Sequence, residues 1–264
     1  MTGSEQRAPT VARIHDYLLG GKDNYTEDGQ FAESLLAVMP DARDAVRASR
    51  QFLGRAVRFL AGKAGIGQFI NIGTGYPAAP NVHEVAQDCR PPSSPPSRVV
   101  YVDNDPVVVV HAQALLCAAP EVCAIRGDLR DLAGILDHPD VRALVDPGEP
   151  TGFLLPGVLD FIPDEDDPRK RVEILMAAAA PGSYLVLSHA TEEEIGVEVA
   201  GGVKELYADA TVPAVFRSRD DIARFFEGLD LVPPGISDVA AWRPDIVPAT
   251  ASRVIVLGGV GRKL

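Results

Sequence analysis

FINIGTGYPAAPNVHEVAQ, residues 69 to 87, carries an apolar, strand-like stretch from Phe69 to Ile72 straight into Gly73-Thr74-Gly75 and then into helix-compatible sequence. A strand, a glycine turn and a helix are the parts from which an open parallel sheet builds a ligand cradle. Gly73, Gly75 and Ala78 fit the dinucleotide spacing G-x-G-x-x-G/A. Asn71, two residues before the first glycine, stands where an acid would serve other nucleotide ligands. The two features point to different chemistries.

Working outward, short apolar runs alternate with helical stretches from residue 66 on, the pattern of a parallel sheet covered on both faces. Strands are expected at Gln68 to Ile72, Arg98 to Val102, Val122 to Arg126, Gly152 to Leu155 and Tyr184 to Leu187, with two last ones at Leu229 to Val232 and Arg253 to Leu257. Asp105-Pro106 and Asp167-Pro168 each place a capping acid before a proline at the first helical position. The helical context then outweighs the strand preference of Val107 to Val110. Ser218, three residues before Asp221, opens a further helix. RPPSSPPS, residues 90 to 97, reads as a solvated insertion, and TEEEIGVEVAGGVKELYADATVPAVF, residues 191 to 216, as a less regular span.

Before residue 66 the periodicity is helical. Val11, Ile14 and Leu18 define a short amphipathic helix stopped by Gly20-Gly21; a second is expected from Thr26 and a longer one from Asp41. The expected organisation is an N-terminal helical extension or lid over residues 1–65 and an α/β domain over residues 66–264.

Bulk properties narrow the partners. The chain of 264 residues is 46% apolar and 23% charged, and has no apolar run long enough to span a bilayer. Its N-terminus lacks the apolar core of a secretion signal, so a cytoplasmic location without membrane attachment is expected. A formal charge of −12 argues against nucleic acid, whose binding depends on Lys and Arg displacing counterions. Cys89, Cys117 and Cys123 form neither a zinc spacing nor an even disulfide set, and no metal is expected.

Ligands of an open parallel sheet sit beyond the carboxyl ends of its strands. Three such ends are polar here. Gly73, Thr74 and Gly75 form the turn, where glycine admits a ligand against the backbone and the next helix offers free N–H groups. Asp103 and Asn104 in YVDNDP end the second strand, and a carboxylate there suits a ribose diol because its two oxygens match two hydroxyls. Asp105 is better placed to cap the helix, which leaves Asp103 free. Asp128 in RGDLRD follows the third strand and can accept from an adenine amino group while the Leu129 N–H meets a ring nitrogen; capping by Asp128 or Asp131 is the simpler alternative. Together the three ends fit an adenosine ligand.

A nicotinamide dinucleotide would use the turn for its pyrophosphate and place its ribose acid about 20 residues on. Asp103 lies further away, although the insertion at 90 to 97 can absorb the difference. S-adenosyl-L-methionine has no phosphate to cradle, and an acid at the third strand suits it. An NAD-binding oxidoreductase and a non-catalytic S-adenosylmethionine-binding regulator stay open beside a methyltransferase.

HDYLLGGKDNY, FINIGTG, NVHEVAQ, YVDNDPVV, GDLRD, PGSYLVLSH, RSRDDIARFFEGL, Trp242-Arg243-Pro244 and the final GGVGRK together resemble the S-adenosyl methyltransferase-like family of bacterial proteins once classed as a domain of unknown function. The resemblance runs almost end to end. It implies a Rossmann-like class I methyltransferase fold, with seven mostly parallel strands, helices on both faces and the last strand antiparallel, binding S-adenosyl-L-methionine. That family usually carries an acid at position 71 and a histidine near position 160; this chain has Asn71 and Asp160.

Methyl transfer from a sulfonium is an in-line displacement, so the protein has to position the acceptor and remove a proton. No N-P-P-Y-like motif follows the fourth strand, which favours a small-molecule oxygen or nitrogen acceptor over amide, adenine or protein nitrogen. His189, ending the fifth strand, and Asp160 are the candidate bases. His15 and His83 fall in helical stretches and read as structural. Tyr17, Gly21 and Asn24, in the polar string beside two glycines, are expected to reach the cofactor from the lid.

Overall fold

A computed structural model describes residues 8–193, 195–208, 210, 212–245 and 256–264. Three helices come first: α1 (Val11–Leu19), α2 (Thr26–Val38) and α3 (Ala42–Gly62). The sheet begins with β1 (Gln68–Ile72), β2 (Arg98–Asp103), β3 (Val122–Arg126), β4 (Gly152–Pro156) and β5 (Tyr184–Ala190). Between them run α4 (Val82–Cys89), α5 (Pro106–Leu116), α6 (Leu132–Leu136), α7 (Pro139–Leu144) and α8 (Pro168–Ala178). After β5 follow α9 (Val197–Ala208), α10 (Arg219–Arg224), β6 (Asp230–Leu231), β7 (Ser237–Asp238) and β8 (Val256–Arg262).

The strand order is β3-β2-β1-β4-β5-β8-β6, with β7 paired to β8 off that path. Strands β1 to β5 are parallel and β8 runs antiparallel to β5. The order reverses between β1 and β4, so the switch point where such sheets bind ligands lies beside the Gly73 turn. Buried clusters fill both faces: Phe52, Leu60, Phe69 and Trp242 on one side, Ile70, Val100, Leu155 and Leu175 on the other. A third cluster joins α1, α2 and α9 through Ile14, Leu18, Phe31, Leu35, Val203 and Tyr207. Among the described residues no helix is long and apolar enough to cross a membrane.

The caps behave as their chemistry dictates. Asp105 accepts from the Val107 N–H at 2.8 Å, Asp131 caps α6 and Asp167 caps α8, each acceptor satisfying a donor that the helix leaves unpaired. Gly20 closes α1 at φ 85°.

Four expectations need correction. The span after β5 contains the twelve-residue helix α9, whose Gly201-Gly202 lowers helix preference but lets α2 approach, since a Cβ at Gly202 would stand 3.0 Å from Val38. The final strand runs from Val256 to Arg262, well past Leu257; residues 253–255 lie outside the described residues. Gly258, Gly259 and Gly261 lie within it, and a Cβ on Gly258 would meet Val239 at 2.8 Å, so close packing demands glycine there. The sheet has eight strands among the described residues, not seven, because the short β7 adds to β8. Lastly, α4 does not start at the glycine turn but at Val82, where Asn81 and Glu84 close a capping box and occupy the N–H groups expected to serve a ligand.

Candidate active site

A cavity of about 510 Å³ opens above the carboxyl ends of the parallel strands. One end is built from the turns that follow β1, β2 and β3. Gly75 sits there at φ 64° with open space where a Cβ would be, a position that only glycine fills without strain and that leaves the backbone bare to the cavity.

Asp103 lines this end but is not free in the sense expected. Its Oδ2 accepts from the Gly75 N–H at 2.9 Å and its Oδ1 from the Asp105 N–H at 3.0 Å. These bonds lock the carboxylate against the turn and leave lone pairs on both oxygens for further donors. Burial raises its pKa, opposed by the backbone donors.

Asn104, Asp128 and Leu129 line the same end. The Arg130 guanidinium grips Asp128 at 2.9 and 2.7 Å and, with the Asn104 amide at 3.1 Å, holds its carboxyl at about 2. Asp128 is therefore an ionised acceptor with its charge largely neutralised, and Asp131 does the capping. The Leu129 N–H has no acceptor among the described residues.

Asn71 lies beneath the turn. It is 1% exposed; its Nδ2 donates to Thr74 Oγ1 at 2.9 Å and its Oδ1 has no partner among the described residues. A buried orphan acceptor is unusual, and this one stands outside the cavity lining, one layer beneath Thr74. Arg50 of α3, which sequence reading passed over, also lines this end and donates to the carbonyls of Ala78 and Pro80.

The polar string of the N-terminal helices takes another course. Asp16 gathers it inward, accepting from the Asp23 N–H at 2.8 Å and the Asn24 amide at 2.7 Å, while Tyr17 donates to Glu33 at 2.7 Å. Tyr17, Gly21 and Asn24 do not line the cavity; α1 instead presents Val11, His15 and Leu19 to it.

The far end of the cavity holds Asp160, in a single 3-10 turn (Val158–Phe161) after β4. Its Oδ1 accepts from the Ala190 N–H at 3.1 Å, and burial pushes its pKa up to about 8. His189 stands 3.0 Å away but is fully buried and outside the cavity lining. Its Nε2 accepts from Arg217 at 2.6 Å, which leaves the proton on Nδ1, directed at the Ala190 carbonyl at 2.7 Å. Burial lowers its pKa to about 3. The two groups form an uncharged pair at neutral pH, and His189 supports the Asp160 turn rather than meeting a substrate. The sequence expectation that His189 acts as a base is corrected on this geometry.

A parallel sheet of this order, with a bare glycine turn at the switch point and acids at the next two strand ends, has the class I methyltransferase fold. The chain belongs to the S-adenosyl methyltransferase family, whose model matches residues 4–264. It is an S-adenosylmethionine-dependent methyltransferase by family and fold, and the nicotinamide alternative falls with that assignment. A candidate methyltransferase from Thermobifida fusca YX is 36% identical over 98% of this chain and 96% of its own, with a TM-score of 0.90. A DUF574 family protein from Streptomyces avermitilis MA-4680 is 39% identical over 97% and 98%, with a TM-score of 0.91. The N-methyltransferase NodS of Bradyrhizobium japonicum WM9, solved with S-adenosyl-L-homocysteine, shares the fold at 14% identity and a TM-score of 0.51, over 95% of this chain and 98% of its own. None of the curated proteins matches the sequence significantly.

Proposed function

We propose that the protein transfers the methyl group of S-adenosylmethionine to an oxygen or nitrogen of a small molecule. The supporting observation is one continuous cavity that joins the strand-end acids to Asp160, a carboxyl group whose pKa lies near working pH. When bound, the cofactor supplies an electrophilic methyl group and leaves as a neutral thioether.

The chain's residues then divide the work. Gly73, Thr74 and Gly75 receive the methionine end, with Arg50 for its carboxylate, while Asn71 holds Thr74 from below without lining the cavity itself. Asp103 accepts from the ribose hydroxyls beside Asn104, and Asp128 with the Leu129 N–H meets the adenine edge. The helical extension, expected over residues 1–65, serves through its described part as a cover over the domain of residues 66–264, since α1 and α3 line the cavity. Asp160, as carboxylate, takes the proton that the acceptor releases.

The direct test is transfer of label from methyl-labelled S-adenosylmethionine to a metabolite extract; binding without transfer would make the protein a cofactor-holding regulator. The pH dependence follows from the sign of the Asp160 shift. Its raised pKa keeps the proton on below about 8, so turnover is expected to rise with pH through about 8. Asp160→Asn is expected to abolish that rise and to lower kcat by about 100-fold or more. An unchanged pH profile in the variant would remove Asp160 from the reaction.

A second expectation concerns Asn71. Asn71→Asp puts a negative charge beneath the turn and is expected to tighten S-adenosylmethionine binding by roughly tenfold, as the charge attracts the ammonium across the Thr74 layer. Calorimetry showing equal or weaker affinity would mean that the ammonium does not sit over this residue.

A further inference from the structure

Asp160 shares its end of the cavity with a second protonatable side chain. His15 lines that chamber from α1, with its ring edge-on to Phe161 at 6.1 Å and 66°, and neither ring nitrogen has a hydrogen-bond partner among the described residues. The other four histidines are engaged: His189 between Arg217 and Ala190, His83 on the Tyr101 hydroxyl, His111 facing Asp23, and His138 at the start of α7. An imidazole with both nitrogens open, on the wall of a cavity, is poised for a ligand.

The surroundings limit what that ligand is. Phe161 and Tyr207 lie 5.7 Å apart with rings tilted at 40°, Phe31 packs against Tyr207 at 5.0 Å, and Phe216 completes the lining beside Tyr207. Burial lowers the His15 pKa to about 4 and raises those of Asp160 to about 8 and of the Tyr207 phenol still further, so all three are uncharged at neutral pH. Asp16, next to His15, turns its carboxylate to Asp23 and Asn24. Arg50, Asp103, Asp128 and Arg130 belong to the opposite end. A carboxylate entering this chamber would lose its hydration without a countercharge, a cost of several kcal/mol, and an ammonium would find one only by ionising Asp160 and tying up the base. A neutral aromatic ring would lose nothing comparable.

We propose that the methyl acceptor is an uncharged aromatic compound bearing a hydroxyl group, and that His15 anchors it by donating a hydrogen bond to the hydroxyl oxygen. This rests on the methyl-transfer reading above. The His15 N–H occupies one lone pair of that oxygen, and the second lone pair forms the new bond to the methyl carbon. The methyl–sulfur bond breaks with its electrons on sulfur, and the hydroxyl proton passes to the Asp160 carboxylate. Phe161 couples the two groups spatially, being the residue after Asp160 and the ring against His15.

Phenol, benzoate and benzylammonium are suitable probes, measured by ligand-observed NMR on the full chain with and without S-adenosylhomocysteine. At about pH 6, where Asp160 keeps its proton, wild type is expected to bind phenol at least about tenfold tighter than either charged analogue, because neither charge finds a partner. His15→Phe keeps an aromatic wall but removes the donor and should weaken phenol by about tenfold, whereas His15→Gln, which restores an N–H donor, should recover most of the loss. Charged probes binding as well as phenol, a His15→Phe protein binding phenol like wild type, or a cofactor-binding protein with no phenol affinity would each overturn the proposal. Calorimetry with S-adenosylhomocysteine on each variant separates the two readings: its failure on wild type counts against methyl transfer itself, while the phenol series without cofactor still decides the anchor.

Discussion

Asp103→Ala is expected to weaken S-adenosylmethionine binding by about 100-fold or more while the protein stays folded. The carboxylate offers both oxygens to a ribose diol, and a hydrogen bond to a charged acceptor contributes about 1.5–3 kcal/mol, so two of them correspond to at least two decades in Kd. A second loss accompanies the first. Oδ2 also holds the Gly75 N–H and Oδ1 the Asp105 N–H, so removing the side chain frees the turn that has to receive the methionine end. Asp103→Asn separates these effects, since its remaining oxygen can hold one of the two backbone donors but not accept from both hydroxyls. Calorimetry of the two variants decides the matter; a loss below about fivefold in Asp103→Ala would place the ribose elsewhere.

Arg217→Ala should be the most destabilising single change near the site, by about 3–5 kcal/mol, because it strands three buried acceptors at about 1–3 kcal/mol each, while its charged partner Asp164 is 79% exposed and adds little. Arg217 is 6% exposed and donates to the Leu159 carbonyl at 2.8 Å, the Ile162 carbonyl at 2.9 Å, His189 Nε2 at 2.6 Å and Asp164 at 2.6 Å, with Phe225 stacked 5.5 Å away. Its removal strands two buried carbonyls and an imidazole nitrogen, each a desolvated acceptor. The two carbonyls bracket Asp160, so activity should fall with stability. Urea unfolding together with methyl transfer measures both. Arg142→Ala is the control: its partner Asp137 is as exposed as Arg142 itself, and the pair should contribute no more than about 0.5 kcal/mol. Equal stability losses in the two variants would refute the anchoring role of Arg217.

The parallel core was legible because each of its parts is local. β1 to β5 are short apolar runs ended by polar residues, the Asp-Pro caps announce α5 and α8, and short right-handed crossovers leave few ways to order such strands. The turn at Gly73 and Gly75 and the acids Asp103 and Asp128 could be placed on one edge for the same reason, since the carboxyl ends of parallel strands all lie on one side of the sheet. What escaped were elements whose conformation contradicts their propensity: α9, with two adjacent glycines, and β8, whose glycines exist to clear Phe52, Phe226 and Val239.

By itself the sequence determined the sheet, its glycine turn and the row of strand-end acids, because alternation, caps and turns act between residues a few positions apart. Only the tertiary structure decided which protonatable groups face the cavity. His189 ends a strand at the right edge, yet Arg217, 28 residues further on, closes over it and makes it a support. His15 sits in a helix that reads as packing, yet the docking of α1 against α2 and α9 turns its ring into the chamber beside Phe161. Chain-local pattern carries no information about which side chain a distant helix will cover, and burial by such distant elements sets both the access and the charge of Asp160, His189 and His15.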